Sequence, residues 1–253
     1  MNSVDVKHPN FFLAFLISVS IFGLILSTFF VLHPSVLEDN FAYRNLSVGS
    51  AFGTVCFLGI LAALFPSSCL TIPQLWKKNK HNRHTSNVHE TNLRAHHPSC
   101  ENYSTHILRV GNINFCATCS GLLVGATLVL FGTASYFFGT LRISNPSLFV
   151  LIGAAGVALG LLQSALPTFS GGFTRFFCSI LFVAGTFLML VSIDTAAKNT
   201  SIDLFFIALS ALLILTKITL SQRDHHRTCS DCSVKSCGYN PKKGCIKDQL
   251  VSE

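Results

Sequence analysis

The sequence predicts an all-α integral membrane protein, with about six transmembrane helices and a small Cys/His metal-stabilised cytoplasmic cap. Three observations lead there. Half the residues are hydrophobic and 11% are charged, against roughly 25% charged in an ordinary soluble domain. Six separate apolar runs are each long enough to cross a bilayer. Most of the cysteines and histidines gather in two basic stretches outside those runs.

The first run, 11–32, is too long for the core of a signal peptide and lacks a small-residue cleavage site, so it reads as a retained helix. The others are 46–65, 119–140, 147–167, 176–193 and 202–220. Each supplies about 18 to 22 mostly apolar residues, enough for a hydrocarbon core of about 30 Å. They are apolar all round, whereas a helix on the surface of a soluble protein carries a polar stripe at helical spacing. Arg175 crowds the start of the fifth run. Gly121-x3-Gly125 and Gly156-x3-Gly160 permit close helix approach. No Asp, Glu or His lies in the middle of a span, where proton relays and ion paths usually place them; Asp194 and Asp203 flank the outer ends of runs five and six.

These runs divide the chain into helices one and two (1–66), a polar basic linker (67–95), a Cys/His hairpin module (96–118), helices three to six (119–220) and a Cys-rich tail (221–253). Lys77, Lys78, Lys80, Arg83, Arg94 and Arg109 lie in the long loop, and six more Lys or Arg follow residue 220. The connections 33–45, 141–146 and 194–201 hold one each: Arg44, Arg142 and Lys198. The positive-inside rule then places the loop, the tail and both termini in the cytoplasm of a multi-pass cell-membrane protein. The net charge of +7 is explained by anionic lipid facing these segments, and no nucleic-acid partner is expected. The partners expected are the lipid bilayer and a cytoplasmic protein docking on the cap.

Seven of the ten cysteines fall in the loop or tail. In a reducing compartment such clusters bind metal or do redox work more often than they form structural disulfides. Cys56 and Cys178 fall within helices as small core residues, and Cys69 is a spare ligand. Within the loop, His81, His84 and His89 belong to the solvated linker. The segment "HHPSCENYSTHILRVGNINFCATC" is different. "THILRV" and "INFC" are strand-forming runs around Gly111-Asn112, a pair suited to a tight hairpin turn. The hairpin delivers Cys116 to the start of helix three and puts Cys119 in its first turn, where the helix N-terminus favours thiolates. Zinc held by Cys100, Cys116, Cys119 and one of His96, His97 or His106 is the preferred assignment. A redox pair and an unliganded cluster are the alternatives.

The tail carries Cys229-x2-Cys232-x4-Cys237-x7-Cys245, four thiols within seventeen residues among turn-forming Gly238, Pro241 and Gly244. So small a module cannot bury a core, and a metal is the usual substitute. The spacing departs from the bacterial ferredoxin run, so zinc ranks above an iron–sulfur cluster. Loop and tail are read as one shared metal site or two.

Arg175 and Lys217 lie towards the cytoplasmic ends of their helices, near "PTFSGGFT". Snorkelling explains them; a sharper alternative is a pocket for a lipid phosphate headgroup. No phosphate loop, nucleophile elbow, metalloprotease helix or dinucleotide fingerprint occurs. Asn45-Leu-Ser and Asn199-Thr-Ser are glycosylation-type triplets of the kind common by chance.

Cys100, Gly111, Cys116, Cys119 and Gly121 together resemble a family of small multi-pass membrane proteins known only as domain of unknown function 2085. That family carries a Cys, a glycine about a dozen residues on, and Cys-x-x-Cys-x-Gly entering a helix. The resemblance implies that the three cysteines form one shared site. It covers residues 100–125; Glu101 stands where the family usually has His, and Thr118 where it has Arg. It implies the architecture and no known activity. The function expected is therefore a membrane protein with structural or docking zinc modules. The alternatives are a thiol oxidoreductase using Cys116 and Cys119 with a quinone, and a lipid-phosphate carrier or flippase.

Overall fold

The computed structural model describes residues 9–33, 43–64, 106–110, 113–166 and 171–230. The described chain is helical apart from one short hairpin. The elements are α1 (Pro9–Leu32), α2 (Arg44–Leu64), β1 (Ile107–Val110), β2 (Ile113–Cys116), α3 (Ala117–Phe137), α4 (Pro146–Ala165), α5 (Gly172–Ala197) and α6 (Thr200–Ser230). All six helices are long and apolar enough to cross a membrane, as expected from the six apolar runs. The reason is local: in lipid every backbone N–H and C=O needs an internal partner, and a continuous helix supplies them all.

Two boundaries differ from expectation. The fifth helix begins at Gly172 instead of 176, which puts Arg175 inside its first turn. The sixth runs to Ser230 instead of ending near 220, so the start of the expected tail, including Cys229, is helical backbone. Neither Gly nor Pro interrupts "SQRDHHRTCS", and Asp224 is tied back to α5 by an ion pair described below.

α5 is the central helix. Phe182, Met189, Leu190, Val191 and Ile193 on it are fully buried, and it packs against α3 on one side and α4 on the other. Both contacts depend on missing side chains. A Cβ on Gly121 would stand 2.4 Å from the carbonyl oxygen of Phe176 on α5. Across the other face, a Cβ on Gly153 would meet Gly185 O at 2.7 Å, and one on Gly185 would meet Gly153 O at 2.5 Å. Such backbone-to-backbone contact is how membrane helices gain dispersion energy without a hydrophobic driving force. The expected close approach at Gly121, Gly125, Gly156 and Gly160 is present.

α1 packs against α6, joined to it by Ser20 Oγ and Thr216 Oγ1 at 3.0 Å. Its phenylalanines at 11, 12, 15, 22 and 29 remain exposed, the surface that a lipid-facing helix presents. Many hydroxyls elsewhere in the spans donate to a carbonyl about one turn back, as Thr133 does to Val129 at 2.8 Å, and so are satisfied within their own helix. The α5–α6 turn is two residues long. Lys198 adopts a left-handed conformation at φ 46°, and Asn199 Oδ1 accepts from the Ser201 and Ile202 N–H groups. That is an N-cap, and it accounts for Asn199 without a glycan.

Candidate functional site

The hairpin forms in the expected place. β1 and β2 pair antiparallel, with Ile107 opposite Cys116 and Leu108 opposite Phe115. β2 runs without a break into α3, so Cys116 is the last strand residue and also the N-cap of the helix, with extended backbone at φ −70°, ψ 117°. Cys119 follows in the first helical turn. Neither cysteine is in a disulfide, and both are partly exposed.

The environment of Cys116 is built for a negative sulfur. The S–H of Cys119 is directed at Cys116 Sγ and is the largest influence on it, drawing the thiol down from an ordinary 9.0 to about 7. Burial opposes this. The backbone N–H groups of Cys119 and Thr118 and the positive charge of Arg175 work in the same direction as Cys119. The N–H groups act as dipoles facing the sulfur rather than as a capping hydrogen bond of ordinary geometry, since none is formed. A paired thiol, a helix N-terminus and a nearby guanidinium are the features that lower cysteine pKa values generally.

The other candidate ligands are arranged differently. His106 is buried at the start of β1, and its Nε2 lies 3.7 Å from Asp224 Oδ2 on α6. The same Asp224 oxygen accepts from Arg175 Nη1 at 2.7 Å. Asp224 therefore ties the hairpin, α5 and α6 together, and His106 faces it. Among the described residues no group of three or more His, Cys, Asp or Glu side chains stands together to hold a metal. Cys116 and Cys119 are two donors where a closed zinc site needs four. The remaining loop candidates Cys100, His96 and His97, and the tail candidates Cys232, Cys237 and Cys245, lie outside the described residues. Cys229 is placed only as backbone, on the last turn of α6.

Arg175 and Lys217 correct the snorkelling expectation, for both are buried, at 4% and 2% exposure. Acceptors inside the bundle account for this. Lys217 Nζ donates to Gly160 O at 2.8 Å, lies 3.4 Å from Ser164 Oγ and stands 5.0 Å over the Phe182 ring. Gly160 exposes that carbonyl because it has no side chain to cover it. A headgroup site expected of these two cations would compete with Asp224 and Gly160; Arg175 Nε has no acceptor among the described residues.

A second polar cluster, not expected as a site from sequence, closes the other end of the bundle. Arg44 at the start of α2 donates from Nη2 to Asp194 Oδ1 at 2.5 Å and from Nε to Asp203 Oδ2 at 3.1 Å. Tyr136 of α3 donates to Asp194 Oδ2 at 2.7 Å. The available signal was one Arg in an outer connection and one Asp at the outer end of each of two helices. No family model, curated protein or solved structure matches the chain.

Proposed function

We propose that the Cys116–Cys119 pair is a dithiol–disulfide couple at the mouth of a multi-pass membrane bundle, exchanging two electrons with a lipid-soluble quinone. The observation that carries this reading is the pairing itself. The two sulfurs are in hydrogen-bond contact at a helix N-terminus, and the Cys116 thiol is lowered to about 7. Oxidation forms one S–S bond between Cys116 and Cys119. Two electrons and two protons leave the dithiol, and the quinone takes up both pairs to become the quinol. Cys116 is the attacking sulfur, since it carries the thiolate; Cys119, whose S–H now points at it, closes the bond. Arg175 holds positive charge beside the reacting sulfur. The Lys and Arg distribution supports a cytoplasmic side for this mouth.

A second reading keeps zinc at the same place, with Cys100 and a loop histidine completing the site, as structure or docking surface. It is favoured by where the two thiols sit, bracketing the seam at which the hairpin becomes α3. One experiment separates the two. Purified protein is incubated with a short-chain quinone, and quinol formation, the mass of the 116–119 peptide and zinc content are measured on the same sample. Quinol with a two-proton mass loss at the pair, both abolished by C116S and C119S and untouched by C100S, supports the couple. Stoichiometric zinc that is released by C116S, C119S and C100S alike, with no quinol formed, overturns it in favour of the metal.

A further inference from the structure

The cluster at the far end of α5 holds more negative charge than the structure neutralises. Asp194 and Arg175 are nineteen residues apart on α5, roughly 28 Å at 1.5 Å per residue, so the cluster and the thiol mouth lie about a hydrocarbon thickness from each other. Asp203 is faced by Arg44 from α2 and Asp194 from α5, and Tyr136 from α3 bonds to Asp194. Lys198 occupies the α5–α6 turn, Tyr43 precedes α2 and His33 follows α1. Of these, Arg44 alone makes an ion pair with the two carboxyls among the described residues. One guanidinium against two ionised carboxylates leaves a net buried charge of minus one.

Asp203 bears the consequence. Its side chain is fully buried, Oδ2 is satisfied by Arg44, and Oδ1 has no hydrogen-bond partner among the described residues. An ionised carboxylate oxygen stripped of water and of donors is severely penalised in a low-dielectric interior. Asp194 and Asp203 both lean on one guanidinium, Asp194 through Arg44 Nη2 and Asp203 through Arg44 Nε. Two carboxylates sharing a single cation repel each other, which favours a proton on one of them.

The geometry points to a proton-binding site: Asp194 and Asp203 share one exchangeable proton, held between the outer ends of α5 and α6 and clamped by Arg44 and Tyr136. With the proton in place the cluster is neutral, and the orphaned oxygen is no longer a charged acceptor. The proton belongs to the pair rather than to either residue, as expected for strongly interacting acids. The cluster spans four helices, so gain or loss of this proton alters the contacts that fasten α2, α3, α5 and α6 at this end. The shared proton is independent of the thiol chemistry at the opposite end of α5.

Infrared spectroscopy of the detergent-solubilised full chain tests it. At neutral pH the wild-type protein should show the carbonyl stretch of a protonated carboxylic acid. The band should shift when aspartate is carboxyl-labelled with carbon-13, disappear in D203N or D194N, and persist in D224N. It should also be lost reversibly as the pH is raised, which establishes exchange. The labelling arm uses unmutated protein and so decides the matter even if the variants misfold. Absence of an aspartic-acid band at neutral pH overturns the proposal, as does a band that remains in both D194N and D203N or that fails to titrate.

Discussion

Replacing Cys119 by Ala removes the S–H that dominates the environment of Cys116, and the effect can be worked through in advance. With its thiol at about 7 rather than 9.0, Cys116 is half ionised at neutral pH instead of about one part in a hundred, about 50-fold more thiolate. A less basic thiolate is also a weaker nucleophile. With a Brønsted coefficient of about 0.4–0.5, two units of lost basicity reduce reactivity by about 6- to 10-fold. The two effects oppose each other and ionisation wins, leaving a net advantage of about 5- to 8-fold at neutral pH. The assay is the rate of Cys116 consumption by a small neutral disulfide across a pH series, read by peptide mass spectrometry after chelator treatment. Wild-type protein should give a midpoint near 7; C119A should move it up towards the ordinary thiol range and lose most of the neutral-pH advantage. C119S, which keeps an O–H donor, should fall between. A wild-type midpoint already in the ordinary range, or one that C119A leaves in place, would refute the thiol-pair argument. Because the thiol is lowered, reactivity is retained above the midpoint and lost as the pH falls through it.

Four further outcomes are expected. R44M should destabilise the bundle by about 3–5 kcal/mol, measured by unfolding in mixed detergent, because it leaves two buried carboxyls without their cation; a loss below about 1 kcal/mol counts against the clamp. G153A and G185A should each lose about 1–3 kcal/mol through collision with the opposing backbone. G59A, where an added Cβ meets nothing within 4 Å, should be neutral or slightly stabilising. K217M, which exchanges a buried amine for an apolar chain of similar length, should stay within about 1 kcal/mol of wild type in the same assay. Truncation after Ser230 should leave the bundle's melting temperature unchanged, whereas truncation before Asp224 should lower it by severing the 2.7 Å contact with Arg175. Metal content of the longer truncate reports separately on the tail cysteines.

Much of this protein is written locally. Six apolar runs mean six helices, because only a helix of about twenty residues satisfies its own backbone across a hydrocarbon core. The hairpin was legible for a similar reason: two strand-forming tetrapeptides flank a turn pair, and β1 and β2 need no distant segment to find each other. The adjacency of Cys116 and Cys119 is also local, fixed by three residues of strand-to-helix geometry. The glycine spacings announced close approach, though not which helix would approach.

Only tertiary structure decided the polar pairs. Arg44 meets Asp194 and Asp203 across 150 and 159 residues, and Lys217 reaches Gly160 across 57. Helices that are apolar on every side show no stripe that fixes their rotation about their own axes. Whether Lys217 points to lipid or inward, and which acid Arg175 finds, are therefore absent from the periodicity. The same ambiguity hid the end of α6, since residues 221–230 are polar and stay helical because Asp224 is anchored on α5. Apolar length is a one-dimensional property that a sequence displays directly. Polar complementarity between helices depends on their order and rotation, and in a bilayer those are set by backbone contact at the glycines.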